Sequence, residues 1–234
     1  MSALGKRWGM KVLRGFESHL LRLKMNKVIK FLLLGDTIIF TGFGLAAPIL
    51  AIFIADNIVG GSIFTAGIAT ALFFIVKALI QIPFSRYIDA HDDVKALRWL
   101  LGGTFLIVIV PFIYMISNHI YWIFLAQIIY GIGLGFYSPS WLGIWSAHLD
   151  EGHESFEWST QAGITGLGLA MTALIGSAVA QYVGFRITFL LAGIVVFLGG
   201  SVLIALSHQK VRRGKLVTDS WLYHFRRKIL RPRN

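Results

Sequence analysis

The chain has 234 residues, of which 56% are hydrophobic and only 14% are charged, and its mean hydropathy is +0.71. Soluble domains carry about a quarter charged residues, so this composition excludes an ordinary soluble domain and favours a membrane protein. The net charge is +11, and the absence of Cys excludes disulfides, Cys-based zinc sites and thiol catalysis.

The N-terminal segment, residues 1–27, is basic and predicts a helix that lies on the membrane surface. Its large apolar residues recur at helical spacing between Arg and Lys residues, namely Trp8, Val12, Phe16 and Leu20. Such a segment binds the anionic lipids of the inner leaflet. Because the hydropathy of the whole chain points to lipid, we expect no nucleic-acid partner.

Six apolar runs follow, and each is long enough to cross a membrane. A helix rises about 1.5 Å per residue, so about 20 residues cross the hydrocarbon core. The spans are predicted at residues 28–55, 62–84, 98–117, 119–147, 159–182 and 186–207. They form a transmembrane domain, residues 28–207, which a basic tail follows at residues 208–234. We therefore predict an all-α polytopic membrane protein.

The distribution of basic residues predicts the orientation in the membrane. Of the 22 Lys and Arg residues, 20 lie on one side: the N-terminal flank up to Lys30, the loop after span two up to Arg98, and the tail. Lys and Arg are enriched in cytoplasmic loops. We therefore expect both termini in the cytoplasm and the protein in a plasma membrane or prokaryotic inner membrane.

The sequence contains an internal repeat of three spans. A constant shift of 91 positions aligns three pairs of residues: Gly42 with Gly133, Gly44 with Gly135, and Pro48 with Pro139. The same shift aligns Asp36 with Gln127 and carries span three onto span six. Because three spans is an odd number, the two triplets are predicted to lie inverted relative to each other. Inverted three-helix repeats are a building plan of secondary transporters.

Over residues 28–207 the chain resembles one six-helix half of a major facilitator superfamily transporter. That family carries a Gly-x-Leu-Ala-Asp-Arg-x-Gly-Arg-Arg type motif between spans two and three. Here residues 85–94 read Ser-Arg-Tyr-Ile-Asp-Ala-His-Asp-Asp-Val, which keeps the Asp as Asp89 and departs at other positions. Span five is similar to the family's Gly-rich fifth helix from Gly163 to Gly176, without its Pro. The resemblance implies a non-enzymatic secondary transporter that moves a small molecule by alternating access.

The resemblance also implies a partner. Family transporters resemble two six-helix bundles that face each other across a cavity, so one bundle lacks an opposite wall. We expect a parallel homodimer or a pair with a second half-size protein. An alternative from another class stays open, in which a non-transporting assembly or scaffold protein retains the bundle. The departures at residues 85–94 favour that alternative.

Polar residues inside the spans are candidates for a substrate and proton pathway. Asp36 and Lys77 lie at similar depth in spans one and two. Charges within a span are costly unless they are paired, and they often mark a pathway. Asp36 is therefore the candidate proton site, neutralised by Lys77 or by a proton, and a purely structural ion pair is the alternative. The further pathway candidates are Thr41, Gln127, Tyr130 and Tyr137, and Gln161 is a weaker one.

An acidic stretch, residues 148–158, lies on the otherwise basic face. Two interpretations stay open: its acids pair as a gate with Arg86, Lys95 or Arg98 near the loop after span two, or they cap span five. The gating candidates are Arg86, Asp89, Asp150 and Glu154. The stretch lacks the spacing of a zinc motif, so we predict no metal and no cofactor. The chain also lacks a phosphate-binding ATPase loop, so a gradient is expected to drive transport.

Overall fold

The computed structural model describes residues 27–212, with side chains over residues 28–205. The predicted surface helix, up to residue 26, and the tail beyond residue 212 lie outside the described residues. The described part consists of six helices: α1 (Lys27–Asn57), α2 (Ile63–Asp89), α3 (Asp93–Ile116), α4 (Ile120–His148), α5 (Glu154–Tyr182) and α6 (Phe185–Arg212). All six contain a stretch long and apolar enough to cross a membrane. The prediction of an all-α protein with six membrane helices is therefore confirmed.

Four helices extend five residues beyond their predicted spans: α2 and α6 at their ends, and α3 and α5 at their beginnings. Helix α2 continues to Asp89 and α5 begins at Glu154, so residues 85–89 and 154–158 are helical. The predicted spans, which end at residue 84 and begin at residue 159, therefore stop short of these helix ends. Apolarity marks the extent of contact with lipid, whereas a helix continues for as long as its backbone hydrogen bonds are made.

The turns between helices gather at two ends of the bundle. At one end the backbone N–H of Val59 donates to the carbonyl of Asn118 at 3.0 Å, and the Arg186 guanidinium donates to the Asn118 side chain at 2.5 Å. At the other end the His148 imidazole lies 3.7 Å from the Asp93 carboxylate. We call this second end the terminal end, because α1 begins there and α6 finishes there. The chain therefore runs alternately between the two ends.

Helices α1 and α4 are central. Helix α1 packs on α5 and α6, α4 packs on α2 and α3, and α3 packs on α6. A shift of 91 positions carries α1, α2 and α3 onto α4, α5 and α6, respectively. The α1–α5 contact of one repeat order therefore corresponds to the α4–α2 contact of the other. In the most apolar stretch of each helix, half of the residues are buried in α1 and in α4, but only 11% are buried in α2 and in α5. This packing supports the three-helix repeat, and the inverted orientation of the triplets stays a prediction.

Glycines allow the central helices to approach their neighbours closely. A Cβ atom at Gly44 would overlap the Thr172 hydroxyl of α5. At Gly135, the repeat partner of Gly44, a Cβ atom would lie 2.7 Å from a methyl group of Ile80 on α2. Small residues permit such close packing between membrane helices. The two glycines therefore hold α5 and α2 close to α1 and α4, respectively.

Candidate functional site

Asp36 is buried where α1 meets α4 and α5. Its side chain is 3% exposed, and it lies about 14 Å along α1 from Lys27 by the helical rise. The Tyr137 hydroxyl of α4 donates to its Oδ1 at 2.8 Å, and the Gln161 amide of α5 donates to its Oδ2 at 3.0 Å. Both carboxyl oxygens are thus held by neutral donors, and the carboxyl group links three helices.

Lys77 does not pair with Asp36. It is half-buried on α2, which contributes no donor to the Asp36 carboxyl. Among residues 28–205, neither side chain lies within ion-pair distance of an opposite charge. A structural ion pair between α1 and α2 is therefore not present in this conformation. The pathway roles of both residues stay predictions.

A tryptophan cluster lies between Asp36 and the terminal end. Trp141 and Trp145 lie about one turn apart on α4, and Trp158 lies on α5. The rings of Trp141 and Trp145 stack with centroids 4.7 Å apart, and the Trp158 ring lies 5.9 and 5.7 Å from them. Trp145 is completely buried and Trp141 nearly so. Aromatic rings therefore fill the contact between α4 and α5 on the way to Asp36.

A second buried carboxyl, that of Glu157, lies near this cluster. It is 1% exposed and accepts the backbone N–H of Asp150 at 3.3 Å. It precedes Gln161 by four residues, or about 6 Å along α5. Among the side chains described, Glu157 has no ion pair, like Asp36. Glu157 thus lies about one helical turn along α5 from Gln161, the residue that donates to Asp36.

Part of α4 also carries buried polar atoms with unused hydrogen-bonding capacity. The hydroxyl of Ser140 and the indole N–H groups of Trp141 and Trp145 are buried, with no hydrogen-bond partner in the described part of the chain. Buried polar groups are normally satisfied, and each exception calls for an explanation.

The remaining pathway candidates have other contacts. Tyr130 stacks between Phe43 of α1 and Phe73 of α2, with both centroid distances 4.6 Å. The Thr41 hydroxyl donates to a carbonyl of its own helix at 2.9 Å. Gln127 is buried on α4 and 4% exposed. Of the predicted pathway residues, the structure thus brings only Tyr137 into hydrogen-bond contact with Asp36.

The gating candidates lie near the terminal end but are not paired with one another. The Glu154 carboxylate accepts the backbone N–H of Gly152 at 3.0 Å, beside the first turn of its helix. Arg86 and Asp89 belong to the last turn of α2. Over residues 28–205, none of the four candidates has an ion-pair partner. The contact that does join α3 to α4 there is the His148–Asp93 pair.

A separate cavity lies toward the opposite end, between α1 and α2. Its volume is about 710 Å³, and apolar side chains such as Ile52 and Phe74 make up most of its lining. None of the predicted site residues lines it. Because both named side chains are more than half exposed, the cavity is a groove on the surface of the bundle. The polar chemistry lies instead around Asp36.

Comparison with known families agrees with this architecture. The sequence pattern of the Major Facilitator Superfamily matches residues 32–231. The chain belongs to the major facilitator superfamily. No individually curated protein matches it. This is a family of membrane transporters, so membership and the six apolar helices together identify an integral membrane protein.

Within this major facilitator bundle, sequence reasoning missed much of the α5 side of the site. Gln161 was only a weaker candidate. The burial of Glu157 and the packing of half-buried Trp158 against the core were not expected, because both residues lay outside the predicted span. The spacing of Trp158, Gln161 and Thr165 puts all three on one face of a helix. Thr165 extends that face with a hydroxyl contact of 3.3 Å to Thr37 of α1. This spacing is the signal that, in hindsight, identifies α5 as a site helix.

Proposed function

We propose that this protein is a half-size secondary transporter that moves a small molecule by alternating access, with Asp36 as its proton-carrying group. The observation that supports the proposal is the buried carboxyl of Asp36, held by Tyr137 and Gln161 and without an ion pair among the described residues. Ionisable groups inside membrane helices are rare and mark substrate or proton pathways. Both termini are expected to be cytoplasmic, because most basic residues flank that side.

Protonation of Asp36 gives the bundle a means of coupling. An ionised carboxyl in a buried site is costly without a counter-charge, and binding a proton removes that charge. Its hydrogen bonds come from two different helices, α4 and α5. A change in its charge therefore alters how strongly α1 is held to each of them. Such a change can bias the bundle between two packing arrangements.

We further propose that two parallel copies form the transporter, with α2 and α5 at their interface. These two helices are the least buried of the six. Gly163 and Gly166 of α5 have open space beside them, as does Gly67 of α2. Exposed small residues favour close contact with another helix in lipid. A two-fold axis would place α2 of one copy against α5 of the other. A second half-size protein is the alternative occupant.

Distances between spin labels, measured by double electron–electron resonance on the full chain in lipid nanodiscs, test both parts of the proposal. Because the chain has no Cys, a single introduced cysteine carries the only label. Glu151→Cys labels the terminal end, and Tyr182→Cys, at a residue 82% exposed, labels the opposite end. We expect two distance populations at each end, and lowering the pH should lengthen one distance while shortening the other. The Asp36→Asn variant should abolish this response.

The outcomes separate the possible functions. Asp56→Asn is the matched control, because it removes an exposed carboxylate from the same helix and should leave the response intact. If the labels give a single distance that neither pH nor Asp36→Asn changes, the scaffold alternative gains the support. If they give no distance between copies, the homodimer is contradicted and a second half-size protein must be sought.

A further inference from the structure

The geometry points to an organic cation as the substrate class of the Asp36 site, an inference that rests on the proposed transport function. Three features carry it: the two buried carboxyls of Asp36 and Glu157, the neutral character of their hydrogen-bond donors, and the tryptophan cluster beside them. Each feature favours positive charge over negative or neutral groups.

The charges of the site favour a cation. Asp36 receives hydrogen bonds from a hydroxyl and an amide, and Glu157 receives one from a backbone N–H. Within residues 28–205 no basic side chain lies at ion-pair distance from either carboxyl. An anionic substrate would meet two uncompensated acids, which penalises its binding. A cation would supply the opposite charge that a buried carboxylate needs.

The aromatic groups strengthen the same preference. The faces of Trp rings attract cations within about 6 Å, and the attraction increases where water is excluded. Trp141, Trp145 and Trp158 have centroids within 6 Å of one another. They lie on the two helices that donate to Asp36. Phe40 adds a further ring, whose centroid is 6.4 Å from that of Tyr137. An alkylated or aromatic ammonium or phosphonium group that enters between α4 and α5 would meet both a carboxylate and Trp rings.

The same arrangement provides exchange of a proton for the cation. The carboxyl of Asp36 is neutral when it carries a proton and anionic when it faces a bound cation. Arrival of the cation therefore favours departure of the proton, and the net charge of the site stays unchanged. The two ligands compete for one group, which is the thermodynamic requirement for exchange rather than co-transport.

Binding to the full chain in lipid nanodiscs tests the substrate class. The probes are tetraphenylphosphonium and benzyltrimethylammonium, each paired with a matching ligand that lacks the positive charge. These are tetraphenylborate for the first and the uncharged carbon analogue for the second, and empty nanodiscs give the background. We expect saturable binding of at least one cation, quenching of tryptophan fluorescence, and proton release into weakly buffered solution. Neither matched ligand should produce these signals.

Variants locate the binding. Asp36→Asn should weaken cation binding by at least about tenfold, because it removes the opposite charge and keeps the shape. Trp158→Leu should weaken it by about 5- to 30-fold, the equivalent of one desolvated ring face. Asp56→Asn and Trp122→Phe, which change exposed residues away from the site, should leave binding unaltered. If Asp36→Asn fails to fold, Glu157→Gln is the second test of the charge requirement.

The possible failures can be told apart. If neither cation binds better than its matched ligand, while the spin-label distances still respond to pH, the cation inference is overturned and the transporter proposal stands. Cation binding that survives both Asp36→Asn and Glu157→Gln also overturns the inference, because the charges then lie elsewhere. If binding and the distance response are both absent, the proposed transport function fails as well.

Discussion

The two three-helix repeats share a scaffold but not a site. Gly44 of the first repeat and Gly135 of the second hold equivalent helix contacts, α1–α5 and α4–α2. The polar groups differ at every equivalent position. The shift of 91 residues places Gln127 at the position of Asp36, and it pairs Gln161 with Thr70 and Tyr137 with Ala46.

This difference indicates which residues serve packing and which serve chemistry. A close contact that recurs in both repeats is explained by the need to bring membrane helices together. A buried carboxyl with two donors occurs at only one of the two equivalent places among the described residues. Packing does not require it, because its counterpart manages without. Helix packing therefore does not account for the cluster around Asp36, and this cluster is the part of the bundle that calls for a functional explanation.

The largest effect should come from making the first repeat resemble the second. Asp36→Gln removes the charge and introduces the side chain of its repeat partner, so cation binding and the pH response of the spin-label distances should be lost. Gln127→Leu, on the other central helix, should retain most of both. Binding of tetraphenylphosphonium by each variant is the measurement. Equal losses in the two variants would contradict the assignment of function to one repeat.

The next effect concerns the shared scaffold. Gly44→Val and Gly135→Val both force a side chain into a filled helix contact, so each should destabilise the protein by about 1–3 kcal/mol. Gly102→Val on α3, outside the proposed interface, is the control, since a Cβ atom there meets no other atom within 4 Å. Thermal unfolding of the purified variants would show the difference. Destabilisation by only one of the two scaffold variants would argue against the equivalence of the repeats.

The sequence was sufficient for the scaffold because its signals are local and long. Runs of about 20 apolar residues predict membrane helices, and Gly42, Gly44 and Pro48 recur at a constant shift. Asp36 was also evident, since a charge inside an apolar run is conspicuous. Its partners were not, because Tyr137 is 101 residues away and Gln161 is 125 residues away. Depth alone suggested Lys77, but depth does not specify which faces of two helices meet.

A smaller effect should follow from removing one donor. Tyr137→Phe deletes the hydroxyl that donates to Asp36 and keeps the ring. The free energy of cation binding should therefore become less favourable by about 0.5–1.5 kcal/mol. Tyr121→Phe changes a hydroxyl on the same helix that is 72% exposed, and should leave binding unaltered. Titration with tetraphenylphosphonium measures both. If Tyr137→Phe were as damaging as Asp36→Gln, the hydroxyl would have a role beyond orienting the carboxyl.

The smallest effect should come from the ion pair at the terminal end. His148 and Asp93 join α4 to α3 at 3.7 Å, and their side chains are 9% and 22% exposed. Partly exposed ion pairs typically contribute about 0.2–1 kcal/mol. His148→Gln should therefore shift the spin-label populations at Glu151→Cys only slightly toward the longer distance. Its Nδ1 atom also lies 2.8 Å from a carbonyl of α4, so Asn at this position is a useful second variant.

A large response to His148→Gln would reverse the ranking of the two regions. The switch would then lie in the contacts between turns at the terminal end, where the gating candidates Arg86, Asp89, Asp150 and Glu154 gather. Asp36 would be reduced to a polar link between three helices. A small population change in His148→Gln, together with complete loss of the pH response in Asp36→Gln, would mean that the buried carboxyl controls the conformational change. In that case the turns at the terminal end follow the movement of the helices and do not cause it.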